Sequence, residues 1–410
     1  MSRFESVEAA PPVAVFALSQ AYKADKSPQK VDLGVGAYRG NDAKPWVLPV
    51  VKKVELETAQ LMGDQLDHEY LGQRGIESFT SAAVKLILGA DNEAIASGRA
   101  AGVQCLSGTG SLRVGADFLA NKAGFTHFLA SAPTWPNHFA VFKDAGFKSS
   151  GTYRYWDEKT RGLDFAGMKE DLNNAPEGSV IILHVCAHNP TGVDPTQDQW
   201  KEIAEICKAK KHFPFFDCAY QGFASGDLEK DSWSLRYFVA QGFELFCAQS
   251  FAKNFGLYNE RVGNLLVVMN CKKALASSLS QMSVRIRAAY SNPPFHGARI
   301  VSQVLNNPEL FNQWMECVKT MSSRIISMRS KLKAKLIELK TPGSWEHVTN
   351  QIGMFCYTGL TEAQVAHIIK EHHVYLMKDG RISMAGINDN NIDHVAKAFN
   401  DAVTNVPAKL

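Results

Sequence analysis

Lys253 stands in Ser250-Phe251-Ala252-Lys253-Asn254-Phe255-Gly256, between two phenylalanines. An amine held among aromatic rings is poorly solvated. Burial lowers its pKa, and the neutral amine is the form that attacks a carbonyl. Asp217 ends the apolar run Phe213-Pro214-Phe215-Phe216, with the phenol of Tyr220 shortly after it. A carboxylate in so apolar a setting needs a partner. Ser107-Gly108-Thr109-Gly110-Ser111 precedes an amphipathic stretch. Hydroxyls and glycines that open a helix present N–H groups to an anion. Arg113 occupies the place of the third glycine in the dinucleotide fingerprint, which argues against a nicotinamide site. Arg261, downstream of Lys253, offers a bidentate fork to the same anion.

An anion site, a buried carboxylate, a phenol and a desolvated lysine together suit pyridoxal 5'-phosphate. Its phosphate wants the glycine loop and Arg261, and its aldehyde wants Lys253 as a Schiff base. Its ring nitrogen wants an anion that keeps it protonated, so that the ring accepts electrons.

These residues need a scaffold that gathers them. Between about residues 103 and 270, VQCL, HFLAS, SVIILHVCA, FPFFD, ELFCAQS and NLLVVM read as buried strands, and segments such as QWKEIAEICKAKK read as helices. The alternation predicts an α/β fold with a mostly parallel sheet covered on both faces. Ligands in such sheets bind at the carboxyl ends of the strands. The chemistry-bearing residues follow those ends: Ser107 after VQCL, His188-Asn189-Pro190-Thr191-Gly192 after SVIILHVCA, Asp217 and Tyr220 with FPFFD, Lys253 after ELFCAQS. A long helix is expected from Pro308 to Lys340, with the charges of MSSRIISMRSKLKAKLIELK on a solvated face, and a smaller α/β unit beyond Pro342-Gly343.

The chain has 410 residues, too many for one core, so two domains are expected. A net charge of +3 does not point to nucleic acid or a membrane surface as partner. No apolar run is long enough to cross a bilayer. The N-terminus MSRFESVEAAPPVAVF lacks an apolar signal core and carries Glu5 and Glu8, which makes the cytoplasm the expected compartment. Cys105, Cys186, Cys207, Cys218, Cys247, Cys271, Cys317 and Cys356 are scattered without a C-x-x-C pair, the usage of free thiols in a reducing compartment.

LGVGAYR, DHEYLG, SGTGSLR, SAPTWPNH, HVCAHNPTG, DCAYQGFASG, SFAKNFGLYNERVGNL, YSNPPFHGARIV and GMFCYTGL resemble the aspartate aminotransferases, in order, from about residue 4 to the C-terminus. Their wording is closer to the cytosolic branch than to the mitochondrial one. The resemblance implies a type I pyridoxal-phosphate transferase fold with a seven-stranded sheet. It implies a large domain over 46–320, an N-terminal arm and part of a small domain over 1–45, and a small C-terminal domain over 321–410. It implies ping-pong transfer of the amino group of aspartate to 2-oxoglutarate through a Lys253 Schiff base, in a homodimer with shared active sites.

The residue roles follow from the same resemblance. Lys253 would carry the cofactor and move the Cα proton. Asp217 would face the ring nitrogen, with His138 behind it. Asn189 and Tyr220 would bond the ring oxygen, and Trp135 would stack on the ring. Ser107, Gly108, Thr109, Ser250 and Arg261 would hold the phosphate, with Tyr70 arriving from a second subunit. Arg381 would grip the substrate α-carboxylate beside Gly36. Arg287 would bind the distal carboxylate across the dimer interface. Both Arg285 and Arg287 lie in VRIRAAYSN, and register decides which points inward; an Arg287 facing solvent would favour aromatic or neutral substrates. Ala252 and Tyr290 depart from the family's usual serine and tryptophan at positions not expected to touch the chemistry.

Two other readings fit parts of the pattern. His184, Cys186 and His188 alternate and could share one face of a strand, as a metal set would, but no fourth ligand is evident and no metal is expected. Ser250-Phe251-Ala252-Lys253 also spells the S-x-x-K of penicillin-binding hydrolases, with Tyr290-Ser291-Asn292 as a second element. That reading needs a K-T-G strand. The nearest match, Lys340-Thr341-Pro342, places a proline where a central strand cannot take one.

Overall fold

Alternating side chains build the central sheet. In Phe213–Cys218, Phe215 packs with Val180, Ile182, Phe128, Phe142 and Phe246 on one face, and Phe216 with Ile181, Leu183, Trp200 and Phe238 on the other. A strand buried on both faces must be apolar throughout, which is why these segments read as continuous hydrophobic runs. The computed structural model describes residues 2–407.

Seven strands form the sheet: β1 (Ala100–Leu106), β2 (His127–Ala132), β3 (Ser149–Arg154), β4 (Val180–His184), β5 (Phe213–Cys218), β6 (Leu245–Ser250) and β7 (Val262–Val268). Their order is β1-β7-β6-β5-β4-β2-β3. All neighbours are parallel except that β7 runs antiparallel to both β1 and β6. The expected strands are present. The edge strand β3, Ser149-Ser150-Gly151-Thr152-Tyr153-Arg154, was not expected, because only Tyr153 in it is buried and its apolar signal is correspondingly weak.

The antiparallel course of β7 has a consequence for function. The carboxyl ends of β1, β4, β5 and β6 share one edge of the sheet, and β7 starts at that same edge. Its register sets Val262 opposite Leu106 and Gly263 opposite Ser250. Arg261, one residue before β7, is thereby delivered to the strand ends that carry Ser107 and Ser250. The first helix behind the sheet, α1 (Ser107–Asn121), begins at this edge. α2 (Lys272–Tyr290) follows β7 and carries Arg285 and Arg287.

α3 (Pro308–Glu338) is a single helix of 31 residues. Pro308 opens it, and the Asn307 side chain accepts hydrogen bonds from the N–H groups of Glu309 and Leu310. Its charges do not all lie on a solvated face as expected. Arg329 is buried and donates to the carbonyls of Val348, Gly353 and Phe355. A buried guanidinium needs such acceptors, and here they pin the segment that leads into Phe355.

One short sheet joins the two ends of the chain, and another lies within its C-terminal part. Val31–Asp32 pairs in parallel with Val374–Tyr375, and Phe355–Tyr357 pairs antiparallel with Arg381–Ser383. α4 (Glu362–His372) and α5 (Ile392–Asn405) pack together beside them. The eight cysteines are free and all but Cys271 are buried. No helix among the described residues is long and apolar enough to cross a membrane.

Candidate active site

β1 ends at Leu106, and Ser107 takes a φ of 61° as α1 begins. No side chain caps this helix start. The Ser107 N–H donates to the Arg261 carbonyl at 3.1 Å, which leaves the next N–H groups for an outside acceptor. The hydroxyls of Ser107 and Ser250 lie 3.0 Å apart. Gly263 allows this convergence, because a Cβ there would stand 2.3 Å from the Ser107 carbonyl carbon. Arg261 donates to the Tyr258 carbonyl at 2.9 Å and is exposed, so its guanidinium keeps donors free. Hydroxyls, N–H groups and a guanidinium at one helix start form an anion cradle.

Asp217 lies opposite His184 of β4 and Ala248 of β6. Its Oδ2 is 2.9 Å from His138 Nε2, and His138 Nδ1 is 2.9 Å from the Thr134 hydroxyl. The fully buried His138 is thus held from both sides. Burial pushes the Asp217 carboxyl up. The His138 hydrogen bond is the main influence that outweighs it, so the group sits below its ordinary value and stays ionised. Burial pushes His184 down to about 3, so it stands beside Asp217 as a neutral ring.

Lys253 is half-buried between buried Ala252 and Asn254, with Nζ 5.2 Å from the centre of the Tyr220 ring. No hydrogen bond or ion pair among the described residues engages that Nζ. Desolvation lowers its pKa and Arg261 adds to the effect, while Asp217 opposes it. Burial raises the Tyr220 phenol, with Arg381 opposing, so the phenol keeps its proton at neutral pH.

Arg381 completes the group from another part of the chain. Its Nη1 donates to Asn189 Oδ1 at 3.4 Å and its Nη2 to the Gly34 carbonyl at 2.9 Å. The guanidinium carbon lies 4.3 Å over the Phe355 ring, and the buried Nε has no partner. Gly36 passes against the same ring, where a Cβ would come within 2.7 Å of Phe355. A half-buried guanidinium with an unused donor suits a carboxylate. An anion cradle, an ionised buried carboxylate and an unpaired, desolvated amine fit a phosphorylated pyridine aldehyde, so these residues are chemically matched to pyridoxal phosphate.

Residues 28–399 match the family "Aminotransferase class I and II". The chain belongs to this family. It is 54% identical to the cytoplasmic aspartate aminotransferase of Gallus gallus over 99% of each chain. Its structure is similar to that of the aspartate aminotransferase from Saccharomyces cerevisiae cytoplasm, with a TM-score of 0.95, 44% identity and 99% of each chain covered. It is similar too to the aromatic-amino-acid aminotransferase of Burkholderia pseudomallei covalently bound to pyridoxal phosphate, with a TM-score of 0.95, 40% identity, and 98% of this chain and all of that one covered.

Within one chain of this aminotransferase, Ser107, Gly108, Ser250 and Arg261 form one group, and Asp217, His138, Tyr220 and Lys253 lie beside it with Asn189 and Arg381. Trp135 stands edge-on to His138, with ring centres 5.3 Å apart. Thr109 follows Gly108 at the open start of α1. Tyr70 and Arg287 lie apart: Tyr70 is 81% exposed, and the exposed Arg287 donates to the Ser291 hydroxyl at 2.6 Å. Arg285 turns the other way, 3.8 Å from Asp117.

The His184 and His188 rings lie together, with centres 4.3 Å apart, and Cys186 does not join them. β4 ends at His184; Cys186 packs in a core with Tyr220 and Phe223; and both His188 nitrogens are engaged, by Ser131 at 2.7 Å and Thr191 at 2.8 Å. The hydrolase set is not assembled either. The Ser250 hydroxyl bonds Ser107 and the Ala252 N–H rather than Lys253, and Lys340-Thr341 turns out of α3 without forming a strand.

Sequence reasoning assigned no role to Thr134 or Phe355. Thr134 stands four residues before His138, a spacing that places side chains together where a helix begins. Phe355 gave no signal, because its place under Arg381 depends on the pairing of Phe355–Tyr357 with Arg381–Ser383.

Proposed function

We infer that this chain exchanges the amino group of L-aspartate with 2-oxoglutarate, giving oxaloacetate and L-glutamate, with pyridoxal 5'-phosphate as cofactor. The observation that carries the reading is the single cluster in which an unpaired Lys253 amine, an ionised Asp217 and a partly free Arg381 meet beside an open helix start. The 54% identical relative named an aspartate aminotransferase supports the substrate. The fold alone does not set it, since an aromatic-amino-acid enzyme has the same TM-score as the yeast aspartate enzyme.

Ser107, Gly108, Thr109, Ser250 and Arg261 hold the cofactor phosphate. Asp217 would keep the ring nitrogen protonated, Asn189 and Tyr220 would bond the ring oxygen, and Trp135 would cover the ring. Bound there, the cofactor supplies an electron-accepting ring for the electrons of the substrate Cα–H bond. Lys253 Nζ, whose hold on a proton is weakened by burial, takes the Cα proton. Arg381 binds the α-carboxylate near Gly36 and so aims that bond.

A homodimer completes the site. Tyr70 and Arg287 serve a second copy's site, and their exposure in the single chain is what such a role requires. Phe4, Val7, Val13 and Phe16 are 59–75% exposed, and helix Ala14–Ala24 has no fully buried residue, so this N-terminal segment carries apolar surface for another copy to cover. We assign the large domain to 46–320, and a small domain to 321–410 with part of 1–45. The pairing of Val31–Asp32 with Val374–Tyr375 supports joining the two ends. The cytoplasm is the compartment proposed, after the relative's name.

The test is a visible spectrum of the purified protein. The band of bound cofactor should bleach with aspartate and return with 2-oxoglutarate; a protein that takes up no cofactor would end the proposal. Arg287→Ala is expected to lower kcat/KM for aspartate by about 10²-fold or more, the value of a charged hydrogen-bonded pair, and to spare phenylalanine. Equal losses on both substrates would remove Arg287 from the distal-carboxylate role.

A further inference from the structure

Outside the cofactor site, one cluster of ligating side chains has no role. His367 and His372 belong to α4, and Asp401 to α5. His367 Nε2 and His372 Nε2 lie 2.7 Å and 2.8 Å from the same oxygen, Asp401 Oδ2. One ligand atom from each residue falls within 4.8 Å of the other two. We propose that His367, His372 and Asp401 form a binding site for a divalent transition-metal ion, Zn²⁺ by preference, that fastens α4 to α5.

Four features of the cluster support this. The donor set is right, since two imidazoles and one carboxylate leave a zinc ion a fourth position for water. The geometry is nearly right. Zinc bonds of about 2.0–2.2 Å at tetrahedral angles set neighbouring donor atoms roughly 3.3 Å apart, so the two Nε2···Oδ2 separations need to open by about half an ångström. The carboxylate is already oriented, because Asn405 donates to the other oxygen, Oδ1, at 2.7 Å and leaves Oδ2 to the histidines. Such outer partners fix ligands in metal sites. The site is also reachable, with side chains 28%, 23% and 35% exposed for His367, His372 and Asp401.

The supports are rigid. α4 is held at its start by a reciprocal cap between Thr361 and Gln364. α5 buries Val395, Ala398, Phe399 and Ala402 against the core. His394, on α5, binds the His372 carbonyl at 2.7 Å through Nε2 and fixes the end of α4. The side-chain hydrogen bonds of His372 and His367 hold the Asp401 carboxyl far below its ordinary range, so an anionic ligand is present at neutral pH. On binding, Nε2 of each ring gives up the proton it shares with Asp401 and turns its lone pair to the ion, while Nδ1 carries the ring's remaining proton.

The test is calorimetric titration of Zn²⁺ into the cofactor-loaded protein and its variants. One ion per chain is expected in the unaltered protein. His372→Ala and Asp401→Asn should each weaken binding by about 10²-fold or more, and Asn405→Ala by about tenfold. Transamination by these variants, unchanged without metal, shows that they are folded. Absence of saturable binding overturns the proposal. So does binding that persists unchanged in both His372→Ala and Asp401→Asn, which would locate the ion elsewhere, with the exposed Cys271 the first alternative.

Discussion

Replacing Lys253 with alanine is expected to lower kcat for aspartate at least about 10⁴-fold while leaving a protein that still takes up pyridoxal phosphate. General acid–base groups contribute 10²–10⁴-fold, and Lys253 combines that duty with the nucleophile's. Its amine is unpaired and desolvated, with Nζ 5.2 Å from the centre of the Tyr220 ring. The cradle of Ser107, Ser250 and Arg261 does not depend on it, so uptake survives. Lys253→Arg separates proton transfer from charge: arginine keeps the charge but cannot release its proton at working pH. It should be as inactive as the alanine variant. Steady-state rates, with retention of the cofactor band after gel filtration, provide the check. Turnover within tenfold of the unaltered enzyme in either variant would remove Lys253 from the chemistry.

Asp217→Asn carries the second large effect. Asparagine keeps the size and loses the charge, which strips His138 of an ionised partner and the cofactor nitrogen of its anion. Breaking a buried charged pair costs about 3–5 kcal/mol, or roughly 10²–10³-fold or more in kcat/KM. His138→Ala should cost less and act through pH. Burial raises the Asp217 pKa and the His138 hydrogen bond is the main influence lowering it. Without His138 the carboxyl titrates higher, and activity is lost sooner as pH falls through that value. The acid limb of the pH–rate profile should therefore move to higher pH in His138→Ala. An unmoved limb would mean that His138 does not set the charge of Asp217.

Six of the seven sheet strands, and the residues at their ends, were legible in the sequence. A strand covered on both faces must be apolar from end to end, so β4 to β7 announce themselves, and a lysine, an aspartate or a serine pair at such an end stands out by contrast. Long motifs such as SFAKNFGLYNERVGNL carried the family likeness. Tertiary structure decided what local pattern does not encode. The antiparallel β7 brings Arg261 to Ser107, a matter of strand order rather than of periodicity. The polar edge strand β3 is hidden because one buried tyrosine makes no alternation. Arg329 reads as one more charge on a solvated helix, yet it is buried against carbonyls of the later segment that leads into Phe355. His367, His372 and Asp401 meet only because α4 and α5 pack side by side. Contacts between residues far apart in the chain depend on packing geometry, and a sequence states the pieces of that geometry without stating their distances.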